Sequence, residues 1–294
     1  MDAHAAEFLL SPWALLLLGL CIGSFLNVVV HRLPQMLERG WKLESAELLG
    51  VKVEASEALS LIRPRSRCPA CGKGIAWHQN IPVLSFLWLR GRCAACKIRI
   101  AARYPLVEIA TGALFALLGL RFGAVPVVLL WCAFTATLVA LAAIDWDTTL
   151  LPDNLTLPLL WAGLVASALG WTIPLNDALW GTVVGYLSLW SVYWLFKLTT
   201  GKEGMGFGDF KLLAALGAWL GLKMILPIVL GASLLGALVG LGMKVSGSLR
   251  EGRYVPFGPF LAGAGLVVLL AGQTRVLVWL GWGTPAFAML TAAN

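Results

Sequence analysis

Three stretches of the chain run for 23 residues without an Asp, Glu, Lys or Arg: between Glu7 and His31, between Arg121 and Asp145, and between Asp153 and Asp177. A helix of that length rises about 35 Å, enough to cross a hydrocarbon core about 30 Å thick. Extended along the chain, the same criterion predicts apolar helices over Phe8–Val30, Pro105–Leu120, Val125–Ile144, Asn154–Leu169, Ala178–Phe196, Lys211–Leu222, Met224–Met243 and Phe257–Gly272. The expected fold is an all-α polytopic membrane protein with about eight transmembrane helices. The sixth is the shortest, because only 11 residues separate Lys211 from Lys223, so it should start upstream of Lys211 or cross only partly. Val276–Asn294 is uncharged too, but Gly281, Gly283 and Pro285 interrupt it, and it reads as interfacial. Acidic Asp2 and Glu7 stand where a removable signal peptide would be basic, and no small-residue cleavage site follows, so the first helix is expected to stay.

Composition agrees with this pattern. With 59% hydrophobic and 13% charged residues and 14 Trp, the chain is neither a soluble two-domain enzyme nor a disordered or collagen-like one. The remaining charges are unevenly spread. From His31 to Arg103 there are 13 Lys and Arg against 5 Glu, a net +8 in a chain whose total is +7. Because cytoplasmic loops retain basic residues, that segment is expected in the cytoplasm. Eight alternating helices then put 19 of the 22 basic residues inside, including Arg250 and Arg253, and both termini outside. This asymmetry accounts for the basic pI without nucleic acid as a partner. Three regions follow: a first transmembrane helix over 1–30, a cytoplasmic domain over 31–103, and a membrane-embedded domain over 104–294.

The cytoplasmic domain carries two Cys-x-x-Cys pairs, Cys68/Cys71 and Cys93/Cys96, with 21 residues between them. That is the spacing of a four-thiolate zinc site, with a gap slightly longer than the commonest one between pairs. Disulfides are disfavoured in a reducing compartment. Four protein thiolates leave no open position for water, so the zinc is expected to be structural. Cys21 and Cys132 lie within apolar helices and are expected to pack there, while His78 is expected to be an ordinary surface or core histidine. Glu38–Leu61 mixes acidic and apolar residues at helical spacing and reads as an amphipathic surface helix.

Acids are rare in the apolar part, and each is a functional candidate. Asp145, Asp147 and Asp153 lie between the third and fourth helices, and Asp209 ends Gly206-Phe207-Gly208-Asp209. Two carboxylates from different helices can act as base and acid on one water. Gly206 and Gly208 would allow close backbone approach there. Against this stands the plainer reading as interfacial caps: Asp153 resembles a helix N-cap and Asp147 a solvated acid, whereas Asp145 and Asp209 fit either role. Glu108, about a turn past Tyr104-Pro105, could sit at the interface.

Several motifs occur together in order: Gly23-Ser24-Phe25-Leu26-Asn27-Val28-Val29 with Arg32-Leu33-Pro34, the paired cysteines, Asn80-Ile81-Pro82, Arg103-Tyr104-Pro105-Leu106-Val107-Glu108, Leu151-Pro152-Asp153, and Gly206-Phe207-Gly208-Asp209-Phe210-Lys211. Nearly end to end, the chain resembles the type IV prepilin peptidases of type IV pilus and type II secretion systems. It departs from many relatives at His78, where an aromatic is common, and at Lys97, where glycine often follows the last cysteine.

The resemblance implies an inner-membrane, multi-pass aspartic protease of the G-x-G-D kind, with Asp145 and Asp209 as its catalytic pair and its active sites facing the cytoplasm. It further implies that prepilins and pseudopilins are the substrates, that a short basic leader is removed after a glycine, and that the new N-terminus is methylated from S-adenosylmethionine. No glycine-rich Rossmann fingerprint marks a site for that donor, so its binding residues stay unassigned. A presenilin-like G-x-G-D protease would share the two aspartates but gives no reason for the knuckle. A proton-coupled transporter would place its acids near mid-membrane.

Overall fold

The structure, a computed structural model, describes residues 7–51, 59–247 and 255–282. Its helices are α1 (Pro12–Leu48), α2 (Leu84–Trp88), α3 (Arg103–Phe122), α4 (Val128–Thr148), α5 (Asp153–Ala168), α6 (Leu175–Thr200), α7 (Phe207–Leu220), α8 (Ile225–Val245), α9 (Gly258–Ala271) and α10 (Gln273–Trp279). Among the described residues no strand forms beyond the isolated bridges Arg67–Gly74 and Arg92–Arg99. The chain divides into two compact units, 1–140 and 141–294, with the boundary inside α4.

All eight apolar segments are helical, but the expected number of eight spans is not confirmed. Among the described residues five helices are long and apolar enough to cross: Pro12–Leu48, Arg103–Phe122, Val128–Thr148, Leu175–Thr200 and Leu222–Val245. A sixth is added if α9 and α10, bent by 107° at their junction, count as one. The shortfall lies in α5 and α7, whose 16 and 14 residues rise only about 24 and 21 Å. An uncharged run includes its loops. Pro152 precedes α5, Gly206 caps α7, and Gly170 and Gly221 end them with positive φ.

In the first unit Ser11 caps α1, its hydroxyl accepting the Ala14 N–H at 3.3 Å. The helix does not stop at Val30. Only Pro34 interrupts its hydrogen bonding, and Glu38 with Lys42 offers a favourable i,i+4 pair, so it continues to Leu48. The amphipathic stretch expected over Glu38–Leu61 is thus an extension of α1, while residues 52–58 of it lie outside the described residues. Arg250, Arg253 and most of Val276–Asn294 lie outside them too. α1 packs antiparallel on α3 through small residues. A Cβ on Gly19 would come within 2.8 Å of the Gly112 Cα, and one on Gly23 within 2.7 Å of the Glu108 Cα. Cys132 is buried as expected, but Cys21 is exposed, because it lies on a side of α1 that α3 does not cover.

The second unit is built around α7, in which every residue from Leu212 to Leu220 is buried. Trp219 donates its indole N–H to the Leu159 carbonyl of α5 at 2.8 Å. Gly217 meets the Gly181 carbonyl of α6 backbone to backbone, and a Cβ on Gly185 would lie 2.7 Å from the Leu213 carbonyl oxygen. Such close approach needs glycine and fixes α7 between its neighbours.

Candidate active site and metal cluster

Asp145 lies in the last turn of α4 and Asp209 in the first turn of α7, and they are only 4% and 7% exposed. The α9 N-terminus joins them: the Gly258 N–H donates to Asp145 Oδ2 at 3.0 Å. The two carboxylates lie within electrostatic reach of each other. Asp209 Oδ1 is buried and accepts no hydrogen bond from the described residues.

Leu151 wedges the assembly. A Cβ on Gly208 would fall 2.7 Å from the Leu151 Cβ, and one on Gly258 would fall 3.2 Å from its Cδ1. The leucine side chain thus bears on both glycines, joining the starts of α7 and α9 to the loop after Asp145. Gly206 has no such restriction, so only Gly208 of the two glycines meets the close approach expected of both. On the other flank the Tyr193 ring lies 5.2 Å from Phe207 and 5.7 Å from Phe210, the residues either side of Gly208-Asp209. Lys197 holds the Tyr193 hydroxyl at 3.1 Å and Glu203 at 2.8 Å, tying down the loop that leads into α7.

The other acids do different work. Asp147 is exposed, as expected of a solvated acid. Asp153 is not the N-cap expected of it: Pro152 holds that position, and Asp153 is the first helical residue, with both carboxylate oxygens 2.7 Å from Lys211 Nζ. Proline cannot cap with its side chain, and the acid one residue on reaches across to α7 instead. Glu108 is buried, and its Oε2 accepts the Val83 N–H at 2.7 Å.

The sulfurs of Cys68, Cys71, Cys93 and Cys96 all lie within 4.8 Å of one another, and could hold a metal ion. The Cys68–Cys96 separation of 3.8 Å matches the edge of a tetrahedron with bonds of about 2.3 Å. Each pair sits in the same kind of turn. Gly72 N–H donates to the Cys68 carbonyl and Cys68 N–H to that of Lys73, while Lys97 N–H donates to the Cys93 carbonyl and Cys93 N–H to that of Ile98. Backbone N–H groups of Cys96 and Ala95 stabilise the Cys93 thiolate and bring its pKa down to about 6. Those of Cys71 and Ala70 lower Cys68 likewise. The Ile98 N–H favours the Cys96 thiolate, yet desolvation and the adjacent sulfurs outweigh it and push that thiol up to about 11. A cation removes this crowding. His78 is exposed and stands outside the cluster.

Gly72 and Lys97 occupy equivalent places, with φ of 70° and 59°. Lysine bears a left-handed conformation at a cost of about 1–2 kcal/mol, so Lys97→Gly should stabilise the knuckle by about 0.5–1 kcal/mol after glycine's own entropic cost. Slower amide exchange over residues 93–98 checks this.

Sequence reasoning passed over Gly258, Leu151 and Lys211. Gly258 has no acid beside it in sequence and is reached only through the fold. Leu151 and Lys211 stood in recognised motifs, but as hydrophobic or basic filler.

By fold and site, the chain is a helical membrane protein with one unit that gathers two buried acids where several helices end and another that bears a four-thiolate cluster. Residues 17–122 match the model for the bacterial peptidase A24 N-terminal domain, and residues 132–241 match that for the type IV leader peptidase family. A Pseudomonas putida protein named prepilin leader peptidase/N-methyltransferase is 53% identical over 87% of this chain and 89% of its own. Proteins of the same name from Pseudomonas aeruginosa and Aeromonas salmonicida are 51% and 49% identical, over 93% and 90% of this chain and 93% of each relative. No solved structure matches. The chain belongs to the type IV leader peptidase family.

Proposed function

We infer that this protein cleaves the short basic leader from type IV prepilins and pseudopilins after a glycine, and then methylates the new N-terminal residue. The pairing of two buried acids from separate helices carries the first half, in a chain about half identical to proteins named for both activities. Asp145 and Asp209 are the catalytic pair. One takes a proton from the attacking water while the other donates one to the substrate carbonyl oxygen, and the departing amine is protonated as the bond breaks. Gly258 N–H orients Asp145, and Leu151 keeps the starts of α7 and α9 at a fixed spacing. Their position at helix ends gives water access that the middle of a bilayer would deny.

The enzyme lies in the bacterial inner membrane with residues 31–103 and both active sites on the cytoplasmic side and both termini in the periplasm. The charge asymmetry supports this orientation. Residues 31–103 form the zinc-binding domain associated with methyl transfer, and residues 104–294 the peptidase. The metal is a structural zinc on Cys68, Cys71, Cys93 and Cys96, which the sulfur spacing and backbone N–H donors suit. Bound there, it would cross-link the two turns and offset part of their thiolate charge. Elemental analysis should find one zinc per chain. Cys71→Ser should lower zinc content at least several-fold and loosen the loop while leaving cleavage within about tenfold. Loss of cleavage in a well-folded Cys71→Ser protein would remove the structural assignment.

S-adenosylmethionine supplies the methyl group. The test of the whole reading is to incubate purified protein with a peptide carrying a basic leader, Gly-Phe and an apolar helix, with and without S-adenosylmethionine. Mass spectrometry should show cleavage after glycine in both cases and a 14-Da gain, about the mass of one methylene, only with the donor. An intact peptide would overturn the peptidase reading, and a cleaved but never methylated one the transferase reading.

A further inference from the structure

Leu84, Leu87 and Trp88 lie at i, i+3 and i+4 along α2, so they share one face. That face points away from the protein: the three side chains are 65%, 64% and 77% exposed. Phe86 turns the other way, its ring filling the space where a Cβ on Gly91 would stand 3.0 Å from it. Trp77, in the neighbouring 3-10 turn Trp77–Asn80, is 82% exposed. This small unit is therefore amphipathic in the reverse sense, with its apolar side outward.

Its depth is fixed by α3. The Val83 N–H, immediately before α2, is held by Glu108, five residues into α3. At about 1.5 Å per residue that is roughly 7–8 Å from the end of an apolar helix long enough to span. On the same stretch of α3, Tyr104, Leu106 and Ile109 are exposed, as a lipid-facing surface requires. α2 thus begins at the level of a bilayer interface, where Trp is favoured. The charge is equally one-sided. Between Glu57 and Glu108 there are nine basic residues and no acid. Arg90 and Arg92 follow α2 directly and are exposed. A second soluble protein would find an apolar face pressed against α3's lipid surface, whereas an anionic headgroup layer supplies an apolar depth and phosphates to pair with arginine.

We propose that the outward face of α2 docks into the headgroup region of an anionic bilayer, with Leu84, Leu87 and Trp88 inserted and Arg90 and Arg92 on lipid phosphates. The knuckle domain is thereby held against the membrane surface rather than hanging from its two helices. This rests on α1 and α3 crossing the bilayer, and is independent of the enzymatic reading.

The test is photo-crosslinking of the full chain in liposomes of phosphatidylcholine and phosphatidylglycerol containing radiolabelled phosphatidylglycerol, with p-benzoylphenylalanine replacing Trp88 or, separately, Leu87. Retained zinc and peptide cleavage show that each variant is folded. Both positions should give a labelled lipid adduct at least fivefold above the same probe at Glu44, which lies about 20 Å further along α1 past Val30. Arg90→Gln with Arg92→Gln should lower the adduct at least threefold. Lipid adducts no stronger than at Glu44, or a protein–protein adduct of twice the chain mass in their place, would overturn the proposal. Adducts indifferent to the two arginine substitutions would overturn the assignment of the phosphates.

Discussion

Asn in place of Asp145 or of Asp209 is expected to lower peptide cleavage by about 10³-fold or more, with normal folding and yield. An amide keeps the shape of the carboxylate but can neither accept the proton from water nor return one. If the two groups act on one water as proposed, the double variant should be little worse than either single one. The same assay separates the remaining acids. Asp147→Asn should stay within a few-fold of the parent, since its side chain is exposed two residues from Asp145 and so on another face of the helix. Asp153→Asn loses the pair to Lys211, which is partly solvated and worth under about 1 kcal/mol, so a modest loss of stability is expected. Full activity in Asp209→Asn would refute the aspartic mechanism. A dead Asp147→Asn beside an active Asp145→Asn would transfer the role to Asp147.

The second large effect comes from a residue without a side chain. A Cβ on Gly258 would stand 2.6 Å from Asp145 Oδ2 and 3.2 Å from Leu151 Cδ1. Both neighbours are buried, so Gly258→Ala must push the carboxylate, the wedge or the start of α9 aside. A displacement of about 1 Å in a catalytic group costs on the order of 10²-fold in rate, and cleavage by Gly258→Ala should fall by about that factor. Gly263→Ala in the same helix has open space around it and serves as the control, with activity expected to match the parent and the melting temperature to be equal or slightly higher. The same logic predicts that Gly208→Ala, pressed on Leu151, is the more damaging change within the Gly206-Phe207-Gly208-Asp209 motif, and Gly206→Ala the milder.

The sequence alone determined that this chain is helical and apolar enough for a membrane, because periodicity, charge-free length and composition are local properties. It also determined which cysteines come together, since two Cys-x-x-Cys turns can present four sulfurs to one ion whatever surrounds them. Local pattern left Asp145 and Asp209 open between cap and catalyst, and only the family resemblance proposed them as the catalytic pair. Where the sequence reading went astray, the missing information was spatial. An uncharged run does not say where its loops fall, so α5 was counted as a full span although Pro152 and Gly170 bound it, whereas the short α7, which does begin upstream of Lys211 at Phe207, was already expected to start early or cross only partly. Asp153 had the local look of a cap, but its partner Lys211 is 58 positions away. Gly258 lies 113 residues from Asp145, and nothing in its neighbours announces that its N–H would complete an acid's environment. Only tertiary packing decided which glycines must be glycine, which acids are buried and which loop leucine spaces the helices. These depend on distances between elements, and those distances follow from the sum of side-chain volumes at their contacts rather than from any one segment.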